Sequence, residues 1–597
     1  MFFNYKKYKY FYTADFETST EAWRLEKARV WLWDICGYSI SRKQYEHKNG
    51  TTIDTFMDVI SKTHNCLFSF HNLGYDGIYI LDWLLNNDFK FTKIDKLKNK
   101  EFTTIITPQG LHYAYQIKFE NGNIVTINDS LKHNSQSVKR LAETYNLDIK
   151  KGDIDYDQFR PLNYEPTPEE LDYIHNDTEI VYKVLEEDIK HGFTRFTESG
   201  NSRFFLKKTI KDYKNLLPEL DDYEDNFVRR AYRGGFTYLN PKNFNKDLGK
   251  MISLDINSMY PAQMLHMPMP IGHGDFREGC ALDDVLSGDC YIQHLYASFK
   301  LKPNKIPMIS KRGFNCFSTK DLYLYDSEFK TIELWLTKPD LELFFECYDV
   351  YNIEWINYVV YSSIKGIELK PEDIVDMTHD EIIEKDGKGS LFYDYIYPNR
   401  YEKEHSTGGK RDRAKKLQNI AYGTQATSKN GELYEPYLKD NKVSFKKYNG
   451  TPRKGGYIPI SCFITAWSRY FLIKCILNNI ERFVYCDTDS LYLLGHETPN
   501  LPIHNSLYGY FKIEHYIERA KFLGSKRYMY YGREPNKENK LCISCCGAPP
   551  SVVSQMNFDN FVPYDKEKGC GEFKGKITSH IISGGKHLIE TTYRLIC

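Results

Sequence analysis

The chain has 597 residues, 41% hydrophobic and 27% charged, a globular balance that excludes wholesale disorder and collagen-like repeats and leaves material for several domains. Its 80 Lys/Arg match 80 Asp/Glu, so a uniformly basic, DNA-coating protein is excluded and any polyanion site must come from local segregation of charge. Aromatics are the outlier at 15%, with 48 Tyr and 36 Phe, rings that suit packing and base stacking alike.

No run of about 18 apolar residues occurs, which argues against a membrane span. The opening MFFNYKKYKYFYTADFE has no sustained apolar core, which argues against a secretory signal. The 14 Cys are scattered and read as free thiols of a reducing compartment. One cluster, Cys542, Cys545 and Cys546, lacks the second ligand pair of a zinc site. It reads instead as a strand of small buried thiols.

The first two hundred residues alternate strand and helix patterns, as in an α/β domain. Residues 8–18 form a strand ending in acids, and 66–87 a strand, a Gly-containing turn and a helix. Residues 167–189 form a helix with Thr167 as N-cap, Pro168 at the first position and Glu170 closing a capping box. The stretch near 190–203 is a boundary. KMISLDINSMYPAQM, 250–264, is a strand leading to a turn at Pro261. Residues 267–400 carry short strand-like runs, 411–426 a helix with a basic face, and 431–457 a hairpin. A further helix over 462–480 precedes a hairpin over 482–494 that turns through Asp-Thr-Asp. Between 400 and 454 there are 14 Lys/Arg and 6 Asp/Glu, the one clear segregation of charge.

Asp487 and Asp489, two apart on a strand turn, project to one side. Two like charges so close need a counter-ion. By itself the pair also fits a polar hairpin turn. Asp255, at the end of an apolar strand, and the basic helix between them turn the pair into a pattern. Nucleotidyl transfer uses two metal ions about 4 Å apart, held by carboxylates from different strands, with cations on the triphosphate. Lys403, Arg411 and Lys415 could supply those cations, the last two sharing a helix face. A second acidic set lies in the N-terminal third: Asp15 and Glu17 at a strand end, Asp76 in the 71–77 turn, and Asp177 four residues after Tyr173. Acids that bind ions, with a phenol to orient water, suit phosphodiester hydrolysis.

These strings resemble the B-family DNA polymerases, and more narrowly the protein-primed replicative polymerases of small bacteriophages with linear genomes. DFET (15–18), HNLGYDG (71–77) and YIHND (173–177) resemble the three proofreading motifs. The resemblance implies Asp15, Glu17, Asp76 and Asp177 as metal or catalytic acids and Tyr173 as water orienter. It implies Asn72, Tyr75, Ser130 and Leu131 as holders of single-stranded primer, Lys151 as a catalytic aid, and Asp153 as a metal ligand. YRGGF (232–236) resembles the motif coupling synthesis to proofreading, so Tyr232, Arg233, Gly234 and Gly235 are implied DNA contacts, as is Ser258. DINSMYP (255–261) resembles the first polymerase motif, implying Asp255 and the Ile256 carbonyl as metal ligands and Tyr260 under the incoming sugar. Asp487 and Asp489 complete the ligand set. RDRAKKLQNIAYG (411–423) resembles the fingers helix, with Asn419 and Tyr422 joining Lys403, Arg411 and Lys415 at the nucleotide. TAWSR (465–469) and KRY (526–528) resemble primer-gripping motifs, implying Thr465, Arg469, Lys526 and Tyr528.

The implied architecture is an RNase H-like 3′–5′ exonuclease domain (1–198) followed by a right-hand polymerase, α/β and α+β in class. Its parts are palm (199–266 and 457–545), a first insert at the terminal protein and duplex (267–390), fingers (391–427), a second insert for processivity and strand displacement (428–456) and thumb (546–597). Implied partners are template and primer DNA, dNTPs and a terminal protein as primer, bound by an otherwise monomeric enzyme. The implied cofactor is Mg2+, two per active site, with Mn2+ as substitute, and the implied location is the cytoplasm of an infected bacterium. Ile420, Met259 and Arg411 depart from the usual Ser, Leu and Lys, and none removes a metal ligand. The rival readings are a nuclease with a DNA-clamping C-terminal region, a non-enzymatic DNA-binding protein, and a polymerase that starts from an ordinary nucleic-acid primer.

Overall fold

A computed structural model of the chain describes residues 4–19, 27–93, 96–155, 158–286, 288–311, 322–328, 330–450 and 455–596. Part of the first insert, 312–321, therefore lies outside the described residues.

The N-terminal third is built on eight strands: β1 (Tyr10–Thr18), β2 (Val30–Ser39), β3 (Gln44–Gly50), β4 (Cys66–Phe70), β5 (Lys90–Phe91), β6 (Glu101–Ile106), β7 (His112–Lys118) and β8 (Ile124–Asp129). Their order is β3-β2-β1-β4-β8-β7-β6-β5. At its centre β1, β4 and β8 run parallel, which is why β4 reads CLFSF and is buried throughout. Helix α1 (Leu73–Asn86) follows β4. Helix α2 (Pro168–Lys190) begins with the predicted capping box, Thr167 accepting from Glu170 and Glu170 reaching back. Its inner face, including Tyr173, Ile174, Asp177 and Val181, lies against the sheet.

After the helices Glu198–Thr209, Tyr213–Leu216 and Asp222–Ala231, the C-terminal two-thirds continue with β9 (Thr237–Leu239) and β10 (Met251–Ile256), then α3 (Met259–His266). Pro261 was expected to stop a strand, yet it lies in the first turn of α3, where its missing N–H breaks no helical bond. The 267–390 segment holds β11 (Met269–Glu278), β12 (Tyr291–Leu301), β13 (Ile332–Thr337), α4 (Lys338–Cys347) and β14 (Tyr348–Ile364). The expectation of short runs fails here, because β14 is 17 residues long and pairs with both β11 and β12. Helices α5 (Tyr393–His405) and α6 (Gly408–Gln425) pack as an antiparallel pair. Next come β15 (Glu432–Lys439) and β16 (Lys442–Asn449), joined at Asp440 and Asn441. Both turn residues have positive φ, the two-residue hairpin geometry that Asp and Asn tolerate.

Helix α7 (Ile458–Leu477) is long and apolar enough to cross a membrane, but 78% of that window is buried inside the protein. It is the core around which α3, α4 and α6 assemble. After it come β17 (Phe483–Asp487), β18 (Ser490–Leu494), β19 (Phe511–Gly524), β20 (Arg527–Arg533), β21 (Lys540–Cys545), and a last hairpin, β22 (Glu572–Ile582) with β23 (Gly585–Arg594). The central sheet is β21-β20-β19-β10-β18-β17-β9. The predicted strand at Cys542 is there, but as an edge strand. Cys542 and Cys545 are therefore half-buried and Cys546 is exposed, not buried as expected. Among the described residues these thiols do not gather with histidines into a metal-binding group.

Candidate active sites

Strand alternation puts Asp15 and Glu17 of β1 on one face. Asp76 enters from the first turn of α1, and Asp177 and Tyr173 from α2, one turn apart. All five line one cleft of about 250 Å³ with Asn72, Tyr75 and Lys151. Burial and the Asp177 charge push the Asp15 carboxyl up to about 7. Burial, then Asp15, holds Glu17 and Asp76 well above the carboxylate range. Burial also raises Asp177, although the Lys151 ammonium sits 2.5 Å from its Oδ2. Asp177 Oδ1 is buried without a hydrogen-bond partner. Crowded, under-neutralised carboxylates are the donor set of a hard divalent cation, so these residues fit a bound metal.

The rim is set by one carboxylate outside the predicted list. Asp129 accepts from the backbone N–H of Asn72 and of Leu131, each at 3.0 Å, holding Asn72 exposed in a left-handed conformation. Ser130 is buried, its hydroxyl donating to the Phe70 carbonyl, so it supports the rim from beneath. The Tyr75 hydroxyl lies 2.9 Å from that of Thr18. Asp153 is a correction. It is exposed, and of the extended 151–155 segment only Lys151 lines the cleft.

The second site lies on the central sheet. Asp255 ends β10 opposite Ser490 of β18, and the Ile256 N–H donates to the Asp489 carbonyl at 2.9 Å. The turn is tight: Thr488 has φ of 62°, and the Asp489 N–H reaches the Asp487 carbonyl at 2.7 Å. Burial, then Asp489, pushes Asp255 up to about 7, and burial raises Asp489 as well. Asp487 is tied by the Thr237 hydroxyl at 2.9 Å and the Lys526 ammonium at 3.2 Å. Glu514 and Lys512 of β19 flank Asp255; only their pairing to β10 reveals them.

Facing these acids, α6 exposes Arg411, Lys415 and Asn419 on one stripe, spaced by four, while Ala414, Leu417 and Ala421 bury the other side. Tyr422 comes from the same helix and meets Tyr260 of α3 with ring centroids 4.1 Å apart. Lys403 reaches the Ser258 hydroxyl at 3.1 Å. Tyr528 is half-buried in a cluster of rings with Tyr485, Tyr492 and Phe522. Ile256 is buried on β10, so only its backbone is available to a ligand.

Three predicted DNA contacts are corrections. Thr465 is buried and its hydroxyl donates to the Ser461 carbonyl within α7. Arg469 is buried in a forked pair with Asp340 and donates to the carbonyls of Arg233 and Gly234. Arg233 donates to the carbonyls of Ala231 and Trp335. Arg469 thus braces the 232–235 segment from below, and Gly234 and Gly235 are left exposed.

Residues 58–165 and 155–508 match the family model described as DNA polymerase type B, organellar and viral. The chain is 34% identical to the DNA polymerase of Bacillus phage Nf, covering 98% of this chain and 99% of that one. This chain is a type B DNA polymerase. The DNA polymerase of Bacillus phage phi29 is likewise 34% identical, with 98% of each chain covered. That of Streptococcus phage Cp-1 is 28% identical over 98% of both. The solved phi29 enzyme, complexed with primer-template DNA and incoming nucleotide substrates, superposes with a TM-score of 0.86. It is 31% identical and covers 98% of this chain and 100% of that one. The polymerase thus has the multidomain fold expected, an exonuclease domain followed by palm, fingers and thumb. It is a DNA-directed DNA polymerase of phage type, and its family depends on divalent metal.

Proposed function

We propose that this polymerase replicates a linear phage genome, starting from a terminal protein, displacing the non-template strand and proofreading its own product in an infected bacterial cell. The observation that carries the reading is the convergence of Asp255 with the 487–489 turn opposite the cationic stripe of α6. Asp255, Asp489 and the Ile256 carbonyl would hold Mg2+, with Asp487 in support; Mn2+ is chemically equivalent there. When bound, the ions would activate the attacking hydroxyl and neutralise the triphosphate. Lys403, Arg411 and Lys415 draw the triphosphate to the site and offset its charge. Tyr260, packed against Tyr422, would lie under the incoming sugar and leave no room for a 2′-hydroxyl.

In the N-terminal cleft Asp15, Glu17, Asp76 and Asp177 would hold the ions of 3′–5′ hydrolysis. Lys151 steadies Asp177 and Tyr173 orients the water. Asn72 and Tyr75 on the rim hold the frayed primer strand. The 267–390 and 428–456 segments are read as the inserts for terminal protein and for template encirclement. The segments 1–198, 199–266 with 457–545, 391–427 and 546–597 are read as exonuclease, palm, fingers and thumb.

The test separates the two sites. Asp489→Ala should abolish dNTP addition while primer degradation persists; Asp15→Ala with Asp76→Ala should do the reverse. Incubating the wild-type enzyme with candidate terminal proteins and labelled dNTP should give a protein–nucleotide adduct. Normal synthesis by Asp489→Ala refutes the site, and extension of DNA primers with no adduct refutes protein priming alone.

A further inference from the structure

Strands β2 and β3 and helix α2 bring Asp34, His47 and His175 together behind the N-terminal cleft. One ligand atom from each lies within 4.8 Å of the other two. Asp34 stands opposite Asp15 in the β1–β2 register, yet none of the three lines the cleft. The two imidazole rings stack with centroids 4.2 Å apart, their nitrogens against one carboxylate. His47 Nδ1 is 2.8 Å from Asp34 Oδ2, and His175 Nε2 is 3.6 Å from Asp34 Oδ1.

The Asp34 carboxylate is fully buried, and its two oxygens differ. Oδ2 accepts from the Thr178 hydroxyl at 2.5 Å and pairs with His47. Oδ1 has no hydrogen-bond partner. A buried carboxylate oxygen left unmatched is costly, and a cation among these donors removes the cost. A plain His–Asp brace satisfies Oδ2 but gives Oδ1 only His175 Nε2 at 3.6 Å, too long for a hydrogen bond.

Surrounding groups support ligation. His47 Nε2 faces Glu179 Oε2 at 3.4 Å, a carboxylate behind the imidazole that fixes which nitrogen points inward. Asn49 lies 3.1 Å from His175 Nε2 through its amide, whose oxygen and nitrogen exchange places by a half-turn, so it or a water can complete four-coordination. Two imidazoles and a carboxylate are a zinc-type donor set; Mg2+ prefers oxygen alone.

We propose that Asp34, His47 and His175 bind one divalent transition-metal ion, zinc being the best match, which fastens helix α2 to β2 and β3. The ion is structural. His175 sits between Tyr173 and Asp177, and Thr178 bonds Asp34 directly, so the clamp fixes the rotation of the helix that brings Tyr173 and Asp177 to the cleft.

The test uses the untagged full-length chain, stripped with chelator and titrated with Co2+ in excess Mg2+, which occupies oxygen-only sites. The expected result is one tightly held Co2+ per chain, with the visible absorption of a nitrogen- and oxygen-ligated ion and no thiolate charge-transfer band. His47→Gln with His175→Gln should abolish it, and Asp34→Asn should weaken it more than about 10-fold. Asp15→Ala with Asp76→Ala should leave it unchanged. If the double His variant does not fold, His47→Gln alone, on a partly exposed ring, decides. No retained Co2+ in the wild type overturns the proposal, as does binding that survives the His variants, is lost with the cleft acids, or carries a thiolate band.

Discussion

Gly235 shows how one missing side chain shapes the polymerase site. A Cβ there would stand 2.9 Å from the Thr488 side chain and 3.1 Å from the Tyr260 hydroxyl. Thr488 is the strained centre of the Asp487–Asp489 turn, so pressure on it moves both carboxylates. Gly235→Ala should therefore lower dNTP addition by about 10- to 100-fold through misplacement, with little loss of stability. Gly234→Ala is the control for stability alone, since a Cβ there meets nothing within 4 Å. Primer extension by Gly235→Ala and thermal melting of both variants check this, and wild-type activity of Gly235→Ala would show that the turn does not feel residue 235.

Between elements, the junction of α2 with α6 rests on a buried carboxylate. Asp188 accepts from Arg413 of α6 at 2.9 Å, from the Tyr145 hydroxyl at 2.8 Å, and pairs with His133 at 3.1 Å. Burial pushes this carboxyl up, but His133, Arg413 and Tyr145 together outweigh burial and hold it below its ordinary value. Asp188→Ala leaves the buried Arg413 guanidinium with only the more distant Glu187 carboxylate, at 3.8 Å, and should cost about 3 kcal/mol. The sign of its pH dependence follows from the depressed value. The contribution is complete above the unfolded carboxyl value of about 4 and is lost as pH falls through the lower folded value. Denaturant midpoints should show the wild-type advantage over Asp188→Ala at pH ~6 and its shrinkage by pH ~3. A pH-independent difference would exclude the ion pair as its source.

At the scale of the whole molecule, the chain closes on itself. The β22–β23 hairpin lies against α1: Gly584 N–H donates to Asp82 at 3.1 Å, Tyr79 to the Lys586 carbonyl at 3.0 Å, and Lys586 to the Gly74 carbonyl at 2.6 Å. The approach leaves no space for a side chain at Gly585, where a Cβ would fall 2.1 Å from the Tyr79 ring. Gly585→Ala should undock the hairpin, lower stability by about 1–3 kcal/mol, and speed hydrogen exchange over 572–594 while the central sheet stays protected. Unchanged exchange there would mean that the contact is dispensable.

Local chemistry was legible in the sequence. The capping box of α2, the 431–457 hairpin, the basic pair Arg411 and Lys415 on one helix face and the acids at 15, 17, 255, 487 and 489 depend on neighbours within a few residues. Periodicity and turn propensity register those neighbours directly. Burial and long-range partners were not legible. Nothing near Arg469 announces Asp340, 129 residues away, so a side chain assigned to DNA proves to be an internal brace. Nothing beside Asp34 announces His47 and His175, or beside Asp255 announces Glu514, because strand pairing and helix docking bring them together. Sequence determined which groups could do chemistry; tertiary structure decided which share a site, since electrostatic and ligand interactions act over a few ångströms of space whatever the separation along the chain.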